Sequence, residues 1–331
     1  MLGVALTCLA AGRAQVVVAQ VATTELAAKE LAFSSQYQPA LQAFDAVILR
    51  EPTNSRALSH RAALLNRIGR NDLALWDIGR SIALDGGTAF SFCVRALTEQ
   101  NIKPDDVTLA DVNTSIGLQQ TPNPAAAPDD ERYAVLDAED SGYAFNSAYT
   151  LRAEIRKRHR QYPAALADVD AIIAFDAEMT SAWLVRASIH RAQGDFNAAL
   201  QDDLRASTLE KHGQVLAGFC EDHAELNDLD EGLQACNAAH SVFPRWELMQ
   251  VNLGLVYLKR GELSRAEASF DEAISQSGRH AFALYGRGIA RVALGDTEAG
   301  QADIPNALLI EADTPEWFVA RGIKAPSRVR S

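Results

Sequence analysis

The sequence predicts an all-α fold assembled from repeated helical hairpins, and three observations predict it. A pattern of small and apolar residues recurs about every 34 residues from Val21 to Thr314. Within each unit the apolar spacing is helical twice over, the two stretches being separated by a turn signal such as Gly194-Asp195. The composition also suits helices rather than sheet: only 7% of the residues are aromatic, 11 are proline, and alanine and leucine abound. Length alone, 331 residues with 48% hydrophobic content, would suggest two or three domains. A repeat array overrides that prior, because each unit packs only on its neighbours and the array can outgrow a single core.

Residues 1–20 read as a signal peptide or an apolar N-terminal helix. Leu2 to Ala11 is apolar, and Val17 and Ala19 fit a small-residue cleavage site. No lysine or arginine precedes the run, it is short for a membrane span, and Ala5-Leu6-Thr7 ahead of Cys8 is a poor lipoprotein site. Repeats 1–3 occupy 21–122. Leu26, Ala27 and Leu31 mark the first helix of repeat 1, and Leu58, Ala62, Leu65, Gly69 and Ala74 carry repeat 2 in unbroken register. Repeat 3 replaces the glycine turn with Lys103-Pro104-Asp105, and proline suits the first turn of a helix, so a second helix is expected from about Pro104 to Leu118. Residues 123–145 are an acidic, proline-containing insertion with Asp129-Asp130-Glu131 and a short helix through Val135-Leu136, either an ordered excursion or a flexible segment. Repeats 4–8 fill 146–314, and 315–331 reads as a capping helix, with Trp317, Phe318 and Ile323, followed by a basic tail.

Small residues at the eighth and twentieth positions (Ala187, Ala199), an aromatic at the twenty-fourth (Phe270), and proline at the thirty-second (Pro52, Pro244) resemble the tetratricopeptide repeat. The resemblance spans nearly the whole array. It implies a right-handed superhelical solenoid of antiparallel helix hairpins whose concave groove, lined by first helices, binds proteins or peptides. The family's clamp of lysines and asparagines for a C-terminal carboxylate is not reproduced: the fifth and ninth positions read Glu25 and Lys29, then Ser59 and Ala63.

Arginine stands at the seventh position of five repeats (Arg61, Arg95, Arg152, Arg186, Arg287) and aspartate at the twenty-third of the same five (Asp77, Asp111, Asp168, Asp202, Asp303). These positions oppose each other across a hairpin that turns near position 15, so each pair is expected to form an ion pair that sets register more than stability. Arg321 in the cap is expected to reach Asp303. Cys220 and Cys236 oppose each other in repeat 6, which lacks the arginine and aspartate; in an exported chain they could form a disulfide, otherwise they are two small buried side chains.

Positions 2, 5, 9 and 12 of the first helices are expected to line the groove. One end is polar and basic, with Arg56, Asn66, Gln100, Lys157 and Arg191, adjoined by Arg67 and Arg158 and interrupted by Glu154. The other is apolar, with Leu248, Val251, Leu255, Leu258, Phe282, Tyr285, Ile289 and Val292. An apolar surface of that extent calls for an external partner, a second protomer or the chain's own tail, and an external partner or a homo-oligomer is the expectation. The acidic stretch from Asp129 to Asp140 is expected to lie over the basic half as a self-ligand.

A net charge of -12 speaks against nucleic acid as a partner, since that affinity comes from lysine and arginine displacing counterions. No zinc-protease helix, phosphate-cradling glycine loop, nucleophile elbow or paired-cysteine metal motif occurs, and His159, His190, His212, His223 and His240 are scattered without i, i+4 partners. Neither catalysis nor a cofactor or metal is therefore expected, and no integral membrane span in the mature chain. The sequence reads as a noncatalytic protein- or peptide-binding scaffold of the periplasm or an envelope assembly, or alternatively as a cytoplasmic regulatory or targeting subunit of an enzyme complex.

Overall fold

A computed structural model describes residues 25–120, 131–209, 213–242, 247–278 and 280–324. Among these there are seventeen helices and no strand, as the repeat pattern requires. The expected leader at 1–20 lies outside the described residues. The chain divides into two compact units, 1–172 and 173–331.

Unit 1 contains α1 (Glu25–Phe33), α2 (Tyr37–Arg50), α3 (Ser55–Arg67), α4 (Asn71–Asp85), α5 (Ala89–Glu99), α6 (Asp105–Gln120) and α7 (Glu131–Arg158). α8 (Tyr162–Phe175) straddles the division. Unit 2 contains α9 (Thr180–Gln193), α10 (Phe196–Leu209), α11 (Gly213–Leu226), α12 (Leu229–Val242), α13 (Glu247–Arg260), α14 (Leu263–Ser277), α15 (Ala281–Leu294), α16 (Thr297–Leu308) and α17 (Thr314–Ala320). Odd-numbered helices up to α15 are first helices of repeats, and even-numbered ones are second helices.

Hairpins turn where the pattern places them. Position 15 adopts a left-handed conformation at Gly69, Gly194, Gly261 and Gly295, and also at Ser35, Arg160 and Asn227, where the side chain makes that conformation costly. Repeat 3 lacks such a residue, and its second helix starts after Pro104, matching the expectation to within a residue or two. The helix starts are fixed locally: Asn54 accepts a hydrogen bond from the Ala57 amide, and Thr88 and Ser91 form a reciprocal capping box.

Small residues let paired helices approach. In unit 2 the Phe270 ring fills the space left by Gly254 and Gly286, where a Cβ on either would overlap it. In unit 1, Ala28, Ala40, Ala43 and Ala57 surround Phe44 and Leu58 in the same manner.

The insertion departs most from expectation. Residues 131–145 are not a separate short helix: they continue directly into the first helix of repeat 4, making α7 a single helix of 28 residues. Its N-terminal half reaches back across the first helices of repeats 1–3, where Asp140 meets Lys29 and His60, and Tyr143 meets Phe90.

Candidate functional site

The ion pairs form as the spacing predicts. Arg61 donates to Asp77 at 2.7 and 2.8 Å, Arg95 to Asp111 at 2.5 and 2.6 Å, and Arg152 to Asp168 at 2.7 Å. Arg186 donates to Asp202 at 2.7 and 3.0 Å, and Arg287 to Asp303 at 2.6 and 2.8 Å. These arginines do two further things, a reach between repeats, which the sequence suggested through Arg321, and a stacking on aromatic rings, which it did not. Arg61, Arg152 and Arg287 also donate to Asp45, Asn113 and Asp271 of the preceding repeat, at 2.6, 2.9 and 2.6 Å, tying one hairpin to the next. Arg95, Arg152 and Arg186 lie over the rings of Phe92, Tyr149 and Trp183, one helical turn earlier. Arg321 does not follow the rule: it pairs with Glu225 on α11, not with Asp303, and stacks on Trp317. Cys220 and Cys236 are joined by a disulfide, which takes the place of the ion pair in repeat 6.

Much of the expected groove is occupied by the chain's own packing, and its apolar end is corrected. Val251, Leu255, Tyr285 and Ile289 are buried. Val251 packs among Ala266, Phe270 and Ala283, while Leu255, Tyr285 and Ile289 pack with Ile304 and with Phe318 of α17. Leu258 is half-buried against both clusters, Phe282 lies 4.7 Å from Trp317 between ring centroids, and Val292 abuts Gly300 across its hairpin. Only Leu248 remains exposed. The reason is geometric: positions 5 and 9 face the next first helix in the stack, so α17 and its neighbours cover the surface assigned to a partner or second protomer.

The basic end is largely neutralised. Arg158 donates to Asp105 at 2.8 Å, Lys157 lies 2.7 Å from Glu154, and Arg56 lies 3.9 Å from Glu25. Arg191 bridges Asp203 and Asp222, both fully buried. Gly218 leaves room for this triad, since a Cβ there would overlap both Asp203 and Arg191. Burial pushes the Asp203 carboxyl up to about 7 and that of Asp222 up to about 6, the Arg191 guanidinium offsetting only part of the effect.

Asn66 and Arg67 are different. They line a cavity of about 740 Å³ in unit 1, walled by Phe33, Phe44, Ala63, Leu64, Phe90 and Leu97 and flanked by Tyr143 of α7. Its floor is an ionic cluster. Lys29 donates to Asp140 at 2.7 Å and lies 3.5 Å from Glu139. His60 Nδ1 sits 3.1 Å from Glu25 and Nε2 sits 2.9 Å from Asp140. Two carboxylates facing two ring nitrogens are both satisfied only by the imidazolium, which donates twice. Burial lowers the His60 pKa, but the hydrogen bonds to Asp140 and Glu25 outweigh it and the net shift is upward. For Asp140 burial acts upward, and the bonds from His60 and Lys29 prevail, holding it below the usual carboxylate range.

The floor is thus self-satisfied, whereas the mouth is not. Arg67 is exposed, lies 5.6 Å over the Tyr37 ring, and has no carboxylate partner among the described residues. The self-ligand expectation holds in part: Asp140 does engage the groove, but through Lys29 and His60 rather than the arginines. His60 and Tyr143 went unrecognised because their partners lie 35 to 80 positions away and in part on a helix the proline-rich sequence concealed. Among the described residues, no cluster of three or more metal-ligating side chains occurs, and no helix is long and apolar enough to cross a membrane.

The repeated hairpins, left-handed turns and ion-pair ladder define a helical-repeat scaffold. A tetratricopeptide repeat family model matches residues 150–209 and 251–302. These two stretches carry tetratricopeptide repeats, and the rest of the helical array resembles that family in its hairpins and turns. PilW, a widely conserved type IV pilus biogenesis factor, has a similar fold, with a TM-score of 0.56 and 14% identity over 70% of this chain and 97% of that one. A tetratricopeptide repeat protein from Parabacteroides merdae ATCC 43184 aligns over 92% of this chain and 99% of its own, at 14% identity and a TM-score of 0.46. MamA aligns over 50% of this chain and 96% of its own, at 16% identity and a TM-score of 0.42. No curated protein matches the sequence.

Proposed function

We propose that the protein is a noncatalytic scaffold that recruits a protein or peptide through the concave face of unit 1, in the periplasm or an envelope assembly. The observation that carries this reading is the aromatic-walled cavity whose mouth holds an exposed, carboxylate-free Arg67, because concave, mostly apolar sites with a few placed polar groups are where ligands bind. The disulfide between Cys220 and Cys236 supports an oxidising compartment, in agreement with the leader-like residues 1–20.

Affinity capture with the full chain tests the binding claim. A partner retained by the wild type and lost by Ala63→Trp, which fills the cavity, is the expected result; capture indifferent to that change would remove the site. Cell fractionation with N-terminal sequencing tests the compartment, and a cytoplasmic chain with residues 1–20 intact would return the alternative of a regulatory or targeting subunit.

A further inference from the structure

Resting on that reading of the unit 1 cavity, we propose the chemistry of its partner: an acidic segment carrying one aromatic side chain, the ring entering the cavity and a flanking side-chain carboxylate pairing with Arg67. Two observations point to it. The first is charge. The groove side contributes Lys29, His60 and Arg67, of which the first two already hold Asp140, at 2.7 and 2.9 Å, and only Arg67 is left over. The second is the chain's own occupant. α7 meets the same surface with an acid and an aromatic one turn apart: Asp140 enters the ionic floor, and the Tyr143 ring packs against Phe90 with centroids 5.7 Å apart. The groove therefore already binds this combination intramolecularly, and the cavity beside it has the same aromatic walls and a cation that stacks on Tyr37 with no carboxylate partner among the described residues.

A side-chain carboxylate fits better than a free C-terminus. Several donors converging on one carboxylate make a terminal clamp, but Asn66 and Arg67 are consecutive on α3 and project about 100° apart, while Lys29 is committed to Asp140. One guanidinium reading one carboxylate is what remains.

The test is fluorescence anisotropy on the full chain with a fluorescein-labelled, C-terminally amidated peptide in which one tryptophan is flanked by aspartate and glutamate. Counterparts replace the acidic residues with lysine, replace the tryptophan with serine, or leave the C-terminus free. The acidic tryptophan peptide should bind at least tenfold more tightly than the lysine and serine counterparts. Arg67→Glu should weaken it at least tenfold, and Ala63→Trp should abolish the signal. Should Ala63→Trp lose its helical circular dichroism, Arg67→Glu, at an exposed site, decides alone. Equal binding of the lysine or serine peptide, indifference to Arg67→Glu, binding confined to the free-carboxylate peptide, or no binding at all would each overturn the proposal. In the last case, a captured partner that Ala63→Trp releases would leave the scaffold reading standing with a different ligand chemistry; no such partner would end both.

Discussion

Asp202 and Asp203 are neighbours with opposite consequences. Asp202 belongs to the register ladder and accepts two bonds from an arginine that is itself stacked on Trp183. Replacing it with alanine removes both of these bonds from a half-buried guanidinium, and a charged hydrogen-bonded pair of this kind is worth about 2 kcal/mol. Urea unfolding of Asp202→Ala should show a loss of that order, and a double-mutant cycle with Arg186→Ala should return a coupling well above zero; additivity would mean the pair is ornamental. Asp203 faces Arg191 together with Asp222, with Asp202 and Glu221 adding negative charge nearby and His223 near Asp222. One guanidinium serves two buried carboxylates, so one negative charge is in excess. A carboxyl whose folded pKa lies above its unfolded value, roughly 3.9, binds its proton more tightly when folded. The stability it contributes is complete below that unfolded value and is lost as pH rises through about 6 to 7. Unit 2 should accordingly resist urea better at pH 5 than at pH 8, and Asp203→Asn should flatten the difference; a pH profile unchanged by Asp203→Asn would contradict this account.

At the scale of the element, the hairpin turn is the part most readily improved. Arg160 ends the first helix of repeat 4 with φ of 56°, a conformation costing an L-residue about 1 kcal/mol or more. Arg160→Gly should raise the thermal midpoint of unit 1, and calorimetry that showed no gain would mean the side chain repays the strain elsewhere. Repeat 6 is held differently. Its disulfide closes a loop of sequence separation 16, for which chain-entropy arguments give about 3 kcal/mol. Melting with and without reductant should reveal a destabilisation of that order, absent from a Cys220→Ala, Cys236→Ala chain. These devices, like the ion pairs, were visible as positions: the turn at 15, the arginine and aspartate at 7 and 23, the cysteines at 8 and 24. Partners local to one hairpin are legible because helix geometry converts sequence spacing into contact. The long α7 was not legible, since Pro122, Pro124 and Pro128 and the acidic run looked like a loop, and only Val135-Leu136 suggested a helix. What holds its N-terminal half in place is Asp140 and Tyr143 meeting repeats 1–3, contacts no local pattern announces.

For the molecule as a whole, the apolar end once assigned to a partner is an internal surface. Phe318, fully buried, packs on Tyr285 at 5.0 Å between rings and beside Leu255 and Ile289. Removing residues 315–331 should expose that surface and cause self-association, seen by light scattering and by dye binding, while the full chain stays monomeric at the same concentration; a truncated chain that remained monomeric would show that α17 is not the cover. The net charge of -12 leaves the exposed Arg67 as a local exception on an acidic molecule.

The sequence by itself determined the repeat, its register, the five ion pairs, the facing cysteines and the cap, because each depends on contacts within one hairpin or on a period that iterates. It did not distinguish a groove-facing apolar residue from a stacking one, since both fall on the same helical stripe and differ only in what the next helix covers. Nor did it place Asn66 and Arg67 at a cavity, as opposed to among the arginines whose charge the chain itself neutralises. Those distinctions were decided by tertiary structure: in unit 2, α17 covers the apolar stripe of the last first helices, and in unit 1, α7 packs beside an aromatic-walled cavity that Arg67 lines.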